Sequence, residues 1–419
     1  MRKPSTEARA SLMLDALTGK DETVSVPSGL MSFYPAISWA AATDSRTRST
    51  KQVLTLTSDR TQHLAEPLYV AHRFPHHSTH GGYDQIVRYL PKGRVISGPA
   101  HLARYVATLG DRLPRLRNRA IGVLEIDVVL ALLVTRRRLF HFVYAENTYS
   151  YAGFFKDRGA NRVVATLHQP PAYLDRMLGA LSEPRRLRWI ANYRRADAII
   201  VLGENLRRYV ADLVGAERVH VVPHGVDITH FRPPLDPTIR RDDRCLVVGN
   251  WLRDFRLAAE VASACLERFP CLRFRVVSES PQAAALDGLP NVDRLPRLSE
   301  MELLAEYQTA TLLFQPVLDS VANNAALEAQ ACGLPLVATD VGAMREYVSP
   351  SAGHFIPPGD PGAALAAIGT LLNDSNLRHA YGQAAREWAA RFDWRRVAAE
   401  TTEVYRQAAG SAQPIRGPD

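Results

Sequence analysis

The sequence has only four cysteines in 419 residues. Cys245, Cys265, Cys271 and Cys332 lie in apolar or helical contexts without the paired spacing of a metal site, so reduced, buried thiols are expected. It has no uninterrupted apolar run of the roughly 18 residues that a membrane-spanning helix needs. The nearest approach, residues 120–134, is shorter and carries Glu125 and Asp127, which fits a helix of a folded domain. The opening MRKPSTEARASLMLDALTGKDE mixes both charges before any apolar stretch forms, unlike a secretory leader, and the expected address is cytoplasmic. Residues 1–66 hold one apolar island, at 30–42, and no repeat or motif; they are expected to form an N-terminal extension.

What is present is ordinary globular material. Hydrophobic residues make up 46% and charged residues 22%, which excludes the disordered class, and the length allows two or three domains. The net charge of +8 gathers in runs at 112–119 (RLPRLRNR), 135–140 (TRRRLF) and 185–195 (RRLRWIANYRR), the last interleaved with Trp189 and Tyr193. Such clusters suit anionic lipid headgroups, nucleic acid or a phosphorylated substrate; a solvated helix face has the same signature.

From residue 67 onward, short apolar runs (LYVAHRF, LFHFVYAE, RVVATLHQ, DAIIVLG) alternate with amphipathic stretches of helical length. Continuous apolar strands between helices indicate parallel sheets covered on both faces. The alternation stops at a Pro-rich, charged stretch, HFRPPLDPTIRRDD, and restarts at CLVVGN. The fold class is therefore α/β, with an extension at 1–66, doubly wound domains at 67–232 and 244–392, a linker at 233–243, and a C-terminal helix and tail at 393–419. Open sheets of this kind bind ligands beyond the carboxyl ends of their strands, so the chemistry is expected in residues that follow strands.

One such stretch is NNAALEAQACGLPLVATDVG, residues 323–342. Its helix starts just after a strand and stops at Gly333-Leu-Pro, and its first turn offers unpaired N–H groups suited to a phosphate. Glu328, among small apolar residues, is placed to accept hydrogen bonds from ligand hydroxyls beside that phosphate, as a ribose offers. Gly81 and Gly82 follow the first strand and allow close backbone approach. His168 and Glu146 each follow a strand. His72, His76, His77 and His80 form a cluster with no accompanying acid or cysteine pattern, so a loop rather than a metal site is expected.

VHVVPHGVDITHFRPP (219–234), ALEAQACGLPLVATDVGAMREYV (326–348) and GHFIPPGD (353–360) resemble family 4 of the retaining glycosyltransferases, which have the GT-B fold of two Rossmann-like domains facing across a cleft. The resemblance runs from about residue 67 to the C-terminus. It implies transfer of a sugar from a nucleoside diphosphate donor, UDP- or GDP-linked, held mainly by the second domain, to an acceptor held mainly by the first. Glu328 matches the acid that binds the donor ribose. Asn323, Asn324 and Ala325, with Ala322, match the segment whose backbone amides meet the sugar and diphosphate. Gly81 and Gly82 match a loop that reaches the donor, and His168 matches a histidine near the reacting sugar. Two positions depart from the pattern. Ser320 stands where the family has an acid near the donor sugar, and Asn250 replaces a phosphate-binding Arg, leaving Arg253 in the place of the second cation.

The resemblance implies a metal-independent, retaining transfer without a cofactor, in which the leaving diphosphate takes the acceptor's proton and no carboxylate nucleophile is required. The acceptor is expected to be a glycolipid or polysaccharide precursor, with peripheral contact to an anionic membrane at its inner face and no nucleic acid partner. Ser320 and Asn250 also fit an inactive homologue serving as a partner subunit in glycan assembly. A nucleotide-sugar epimerase would need catalytic acids that the sequence does not offer.

Overall fold

The computed structural model describes residues 65–73, 79–96, 125–240 and 243–410. The described strands form two six-stranded sheets in which every adjacent pair runs parallel. The first sheet contains β1 (Ala65–Val70), β2 (Arg94–Ile96), β3 (Arg138–Phe142), β4 (Arg162–Leu167), β5 (Ala198–Val201) and β6 (Val219–Val221), in the order β2-β1-β3-β4-β5-β6. The second contains β7 (Arg244–Val248), β8 (Arg273–Val277), β9 (Val292–Leu295), β10 (Leu312–Gln315), β11 (Leu336–Thr339) and β12 (Gly353–Ile356), in the order β12-β11-β10-β7-β8-β9. The central strands are mostly apolar and buried at every position, AIIV in β5, LLFQ in β10 and LVAT in β11, with polar Gln315 and Thr339 at the carboxyl ends of the last two. Nearer an edge, β8 alternates between buried and half-buried.

The helices between strands are α1 (Ala145–Thr148), α2 (Pro171–Gly179), α3 (Glu183–Tyr193), α4 (Glu204–Val214), α5 (Phe255–Arg268), α6 (Glu300–Thr309), α7 (Asn324–Ala331) and α8 (Met344–Tyr347); α9 (Pro361–Asn373), α10 (Ser375–Ala389) and α11 (Trp394–Gly410) follow β12. Residues 125–134 are helical as well, and Glu125 at their start is buried, accepting from the backbone N–H groups of Ser150, Tyr151 and Ala152. Ser299 and Glu302 close a reciprocal capping box on α6. Chain direction reverses across the sheet between β1 and β3 and between β7 and β10, so crevices open at the carboxyl ends of these pairs.

The last helix has a role that its amphipathic sequence did not disclose. The chain crosses to the second sheet near Val226, and at Phe392 it crosses back: Val226 N–H donates to the Phe392 carbonyl at 2.8 Å. Trp394 is 2% exposed and lies so close to Gly225 that a Cβ there would stand 2.3 Å from the indole. Helix α11 then covers the first sheet, where the Tyr405 hydroxyl meets His141 Nδ1 at 2.6 Å and His141 Nε2 meets Thr166 Oγ1 at 2.7 Å. Burial pushes the His141 pKa down to about 3, so this ring is neutral and structural. The thiols need one correction: Cys245, Cys265 and Cys332 are buried, but Cys271 is exposed, because it sits on the turn before β8 rather than inside a helix face.

Since Trp394 joins both crossovers, Trp394→Ala should lower stability by about 3–5 kcal/mol. The midpoint of urea unfolding followed by circular dichroism measures this.

Candidate active site

Helix α7 is short and mostly buried, so its ends must be satisfied by the chain itself. Asn323 caps it, its Oδ1 accepting from Ala326 N–H at 3.1 Å. Gly333, at φ 66°, ends it: Gly333 N–H donates to the Gln330 carbonyl and Leu334 N–H to that of Ala329. The amides of Asn324 and Ala325 have no partner inside the helix. Glu328 follows one turn later, and its Oε2 accepts from the Tyr307 hydroxyl of α6 at 2.8 Å. Burial raises the Glu328 pKa to about 7, against the hydrogen bond from Tyr307 and the nearby positive charge of Arg253.

Arg253 turns back onto its own loop. Nε donates to the Val248 carbonyl at 2.8 Å and Nη1 to that of Trp251 at 2.9 Å. With its carboxamide oxygen facing the guanidinium, Gln315 accepts from Nη2 at 2.7 Å. The side chain folds across Gly249, whose φ of 117° and missing Cβ make room for it. Burial lowers its pKa to about 10, opposed by Tyr307 and Glu328. The sequence places Arg253 as the remaining cation for the diphosphate; in the structure each of its three nitrogens makes one contact with this wall, and Nη1 and Nη2 each keep a second N–H. Asn250 has a bracing role too, its Oδ1 accepting from Ser278 Oγ at 2.9 Å and Glu279 N–H at 2.8 Å.

The glycine loop faces α7 across the crevice. Gly82 has φ 90°, which permits the sharp turn into the 3-10 segment Tyr83–Arg88. His80 ties this loop to the second domain: its backbone N–H donates to Glu300 Oε1 at 2.7 Å, its Nδ1 lies 2.7 Å from Asp227 Oδ2, and its ring stacks on His230 at 3.9 Å. Burial opposes ionisation of Asp227, yet hydrogen bonds from Thr229 and His80 hold its pKa at about 2. Of the histidine cluster, His76 and His77 lie outside the described residues, and His72 packs against the ring of Tyr144. No group of three metal-ligating side chains occurs among the described residues.

Gly81, Gly82, Asn324 and Glu328 line one crevice, with His80, His224 and Trp394. Its volume is about 10 Å³, room for about one water molecule. Other expected site residues lie behind its walls. Asn323 is buried as the cap, and Ala325 is buried in the helix. The Ser320 hydroxyl is buried without a partner, and its carbonyl accepts from Ala343 N–H at 2.8 Å. The carboxylate of Asp319 folds onto Ser320 N–H at 2.7 Å. His168 is one ring removed: Tyr83 stands edge-on between it (4.7 Å) and His224 (5.3 Å). Glu146 accepts from the backbone N–H groups of His168 and Gln169 and lies 3.5 Å from His168 Nδ1. Burial would raise the Glu146 pKa, but these contacts with His168 hold it below the usual range. Glu146 thus anchors His168, and His168 Nε2 stays buried and unpartnered.

The sequence pattern did not single out His224, Tyr83, Tyr307 or Trp394, and it showed His80 only as part of a histidine cluster. Tyr83 directly follows the glycine pair and His224 lies in the quoted PHGVD, so both could have been weighed; Tyr307 and Trp394 reach the site only through long-range packing.

Residues 98–230 match the family model described as Glycosyltransferase Family 4, and residues 242–374 match Glycosyl transferases group 1. Among curated proteins, D-inositol 3-phosphate glycosyltransferase of Corynebacterium urealyticum is 30% identical over 48% of this chain and 53% of its own length. That of Kineococcus radiotolerans is 30% identical over 54% and 60%. The match thus spans little more than half the length of these relatives. Among solved structures, sucrose-phosphate synthase from Thermosynechococcus elongatus superposes with a TM-score of 0.61 at 20% identity, over 83% of this chain and 100% of that one. Anabaena HepE, in complex with UDP and glucose, gives 0.61 at 16%, over 81% and 99%. These likenesses establish the GT-B fold.

A titration separates Glu328 from an ordinary surface acid. Because its folded pKa lies above the unfolded value, the native state holds a proton that the unfolded chain has lost between about pH 4.5 and about pH 7, and stability falls as pH rises through that window. Glu328→Gln should therefore be the more stable protein at about pH 8, by on the order of 2 kcal/mol, with the difference vanishing near about pH 5. Urea midpoints across this range are the measurement; Glu125, also raised to about 7 by burial, contributes equally to both proteins.

Proposed function

We propose that this chain, which belongs to the family 4 glycosyltransferases and has the GT-B fold, moves a hexosyl group from a nucleoside diphosphate sugar to an acceptor hydroxyl with retention of configuration. One observation carries the reading: Gly81 and Gly82 of the first domain share a crevice with Asn324 and Glu328 of the second. The amides at the start of α7 and the glycine loop supply N–H groups for a diphosphate, while the Glu328 carboxylate accepts from the ribose. HepE, the Anabaena neighbour, binds UDP and glucose, which favours a UDP-linked donor. A crevice of about 10 Å³ cannot hold a nucleotide, so the donor needs the two domains to part and then close over it.

In the transfer, the bond between the anomeric carbon and the diphosphate oxygen breaks. A bond to the acceptor oxygen forms on the same face, and the acceptor's proton passes to the departing phosphate oxygen. The α7 N-terminus offsets the growing negative charge, and Arg253, held against this wall by Gln315, adds a positive charge beside it. His168, oriented by Glu146 through Nδ1, offers Nε2 to a hydroxyl of the reacting sugar. No metal enters this scheme, because the backbone amides carry the charge stabilisation.

The acceptor we favour is an anionic glycolipid or polysaccharide precursor at the inner face of a membrane. Helix α3 exposes Arg185, Arg186 and Arg188 beside Leu187, which is 56% exposed. That combination suits anionic headgroups, each arginine contributing about 1 kcal/mol near such a surface. No helix among the described residues is long and apolar enough to cross a membrane. The curated relatives are named for D-inositol 3-phosphate, so a phosphorylated cyclitol is the alternative acceptor to assay.

The test is turnover of UDP-, GDP- and ADP-hexoses in the presence of each acceptor class, with product anomers read by NMR. An acceptor-dependent α-linked product from an α-linked donor is expected, and His168→Ala should lower its rate by on the order of 100-fold while UDP binding persists. A purified protein that transfers nothing without a second polypeptide points instead to the partner-subunit reading. Flotation with phosphatidylserine vesicles at low salt should carry the protein, and neutralising Arg185, Arg186 and Arg188 should abolish it.

A further inference from the structure

Trp251 is left in water at a place where the chain is held still. It is 57% exposed, the one aromatic among the exposed large hydrophobic side chains of the described residues. The next residue, Leu252, has φ 53°, a conformation that L residues other than glycine, asparagine and aspartate seldom adopt. Arg253 Nη1 grips the Trp251 carbonyl at 2.9 Å, and Leu318 N–H donates to the Leu252 carbonyl at 2.9 Å. Local backbone strain spent on presenting an indole to solvent is typical of ligand-holding sites.

Across from it, on the first domain, stands Tyr173 of α2, with ring centroids 5.6 Å apart at 75°. Arg176 lies over the outer side of the tyrosine, 5.9 Å from its centroid. Tyr173 follows His168 and Gln169 closely in the chain. His168 Nε2 and Gln169 Oε1 are both buried and without a partner, two acceptor atoms gathered at the end of β4. An exposed indole against a tyrosine that follows unspent hydrogen-bond acceptors by a few residues in the chain suits a molecule with a C–H face and hydroxyl edges. A lipid chain would leave the acceptors unused.

We infer that Trp251 and Tyr173 form a stacking platform for a pyranose or cyclitol ring, and that this ring belongs to the acceptor. The assignment rests on the glycosyl-transfer reading above. Two facts favour the acceptor over the donor's own sugar: half of the platform comes from the first domain, and Gln169 Oε1 on that domain is unpartnered, whereas His168 Nε2 serves the reacting sugar.

Saturation-transfer NMR with methyl α-glucoside as the probe, recorded in saturating UDP, tests it. Wild type should transfer magnetisation to one C–H face of the ring. Trp251→Ala should weaken probe binding about tenfold, Trp251→Phe should restore most of it, and UDP affinity should be unchanged in both. No transfer to the probe in UDP-bound wild type, or an unchanged signal in Trp251→Ala, overturns the proposal. So does loss of UDP affinity together with the probe signal, which makes the ring pair a closure latch. Displacement of the probe by UDP-glucose but not by UDP gives the platform to the donor sugar and overturns the assignment to the acceptor. Failure of wild type to bind UDP at all is a different result: it removes the glycosyl-transfer reading itself.

Discussion

A partly buried carboxylate beside a helix N-terminus constrains everything around it. Glu328 is held within reach of the unpaired amides of α7, and such a charge is tolerated only if hydrogen-bonded or compensated. Tyr307 supplies the hydrogen bond and Arg253 the opposite charge, and each needs its own support. Gln315 and the Val248 carbonyl fix Arg253, Gly249 gives it space, and Asn323 closes the helix end. The result is a wall with one titrating group near neutrality, facing a glycine loop that presents only backbone.

The two domains are joined less by a linker than by two crossings laid side by side. The Val226–Phe392 hydrogen bond and the indole of Trp394 on Gly225 make the crossings one unit, and α11 anchors the return to the first sheet. Tyr347 strengthens the same seam, accepting from His224 N–H and donating to the Leu202 carbonyl. Closure is instead held by contacts at the crevice rim, above all those of His80 with Glu300 and Asp227. These are polar and solvent-accessible, and so of the kind that can part without loss of the core.

Much of the fold was legible because parallel strands covered on both faces are mostly apolar, as in AIIV and in the leading residues of LLFQ and LVAT. Helix ends were equally readable at Ser299 with Glu302 and at Gly333, since capping is local chemistry. The positions of Gly82 and Glu328 in one crevice followed from the rule that ligands meet strand ends. Three things could not be read. The partner of α11 depends on a contact between residues 141 and 405, far apart in sequence. The inward turn of Arg253 depends on the backbone angles of Gly249 and Leu252. His80 looked like one member of a histidine cluster, whereas its Nδ1 lies 2.7 Å from Asp227 Oδ2 and holds the glycine loop in place. Ser320 remains a real departure from the family pattern: its hydroxyl is buried beneath the Gly342 turn, and the carboxylate of Asp319 is spent on a backbone amide.

The central claim is that the crevice between Gly81–Gly82 and the start of α7 receives a nucleoside diphosphate whose ribose Glu328 holds. The most direct measurement is calorimetric titration of UDP, without added metal, into wild type and Glu328→Ala. The account predicts binding to wild type and a loss of about 1–3 kcal/mol, roughly 10- to 100-fold in Kd, in the variant. Equal affinity in both proteins, or no binding to wild type by any of UDP, GDP and ADP, contradicts it.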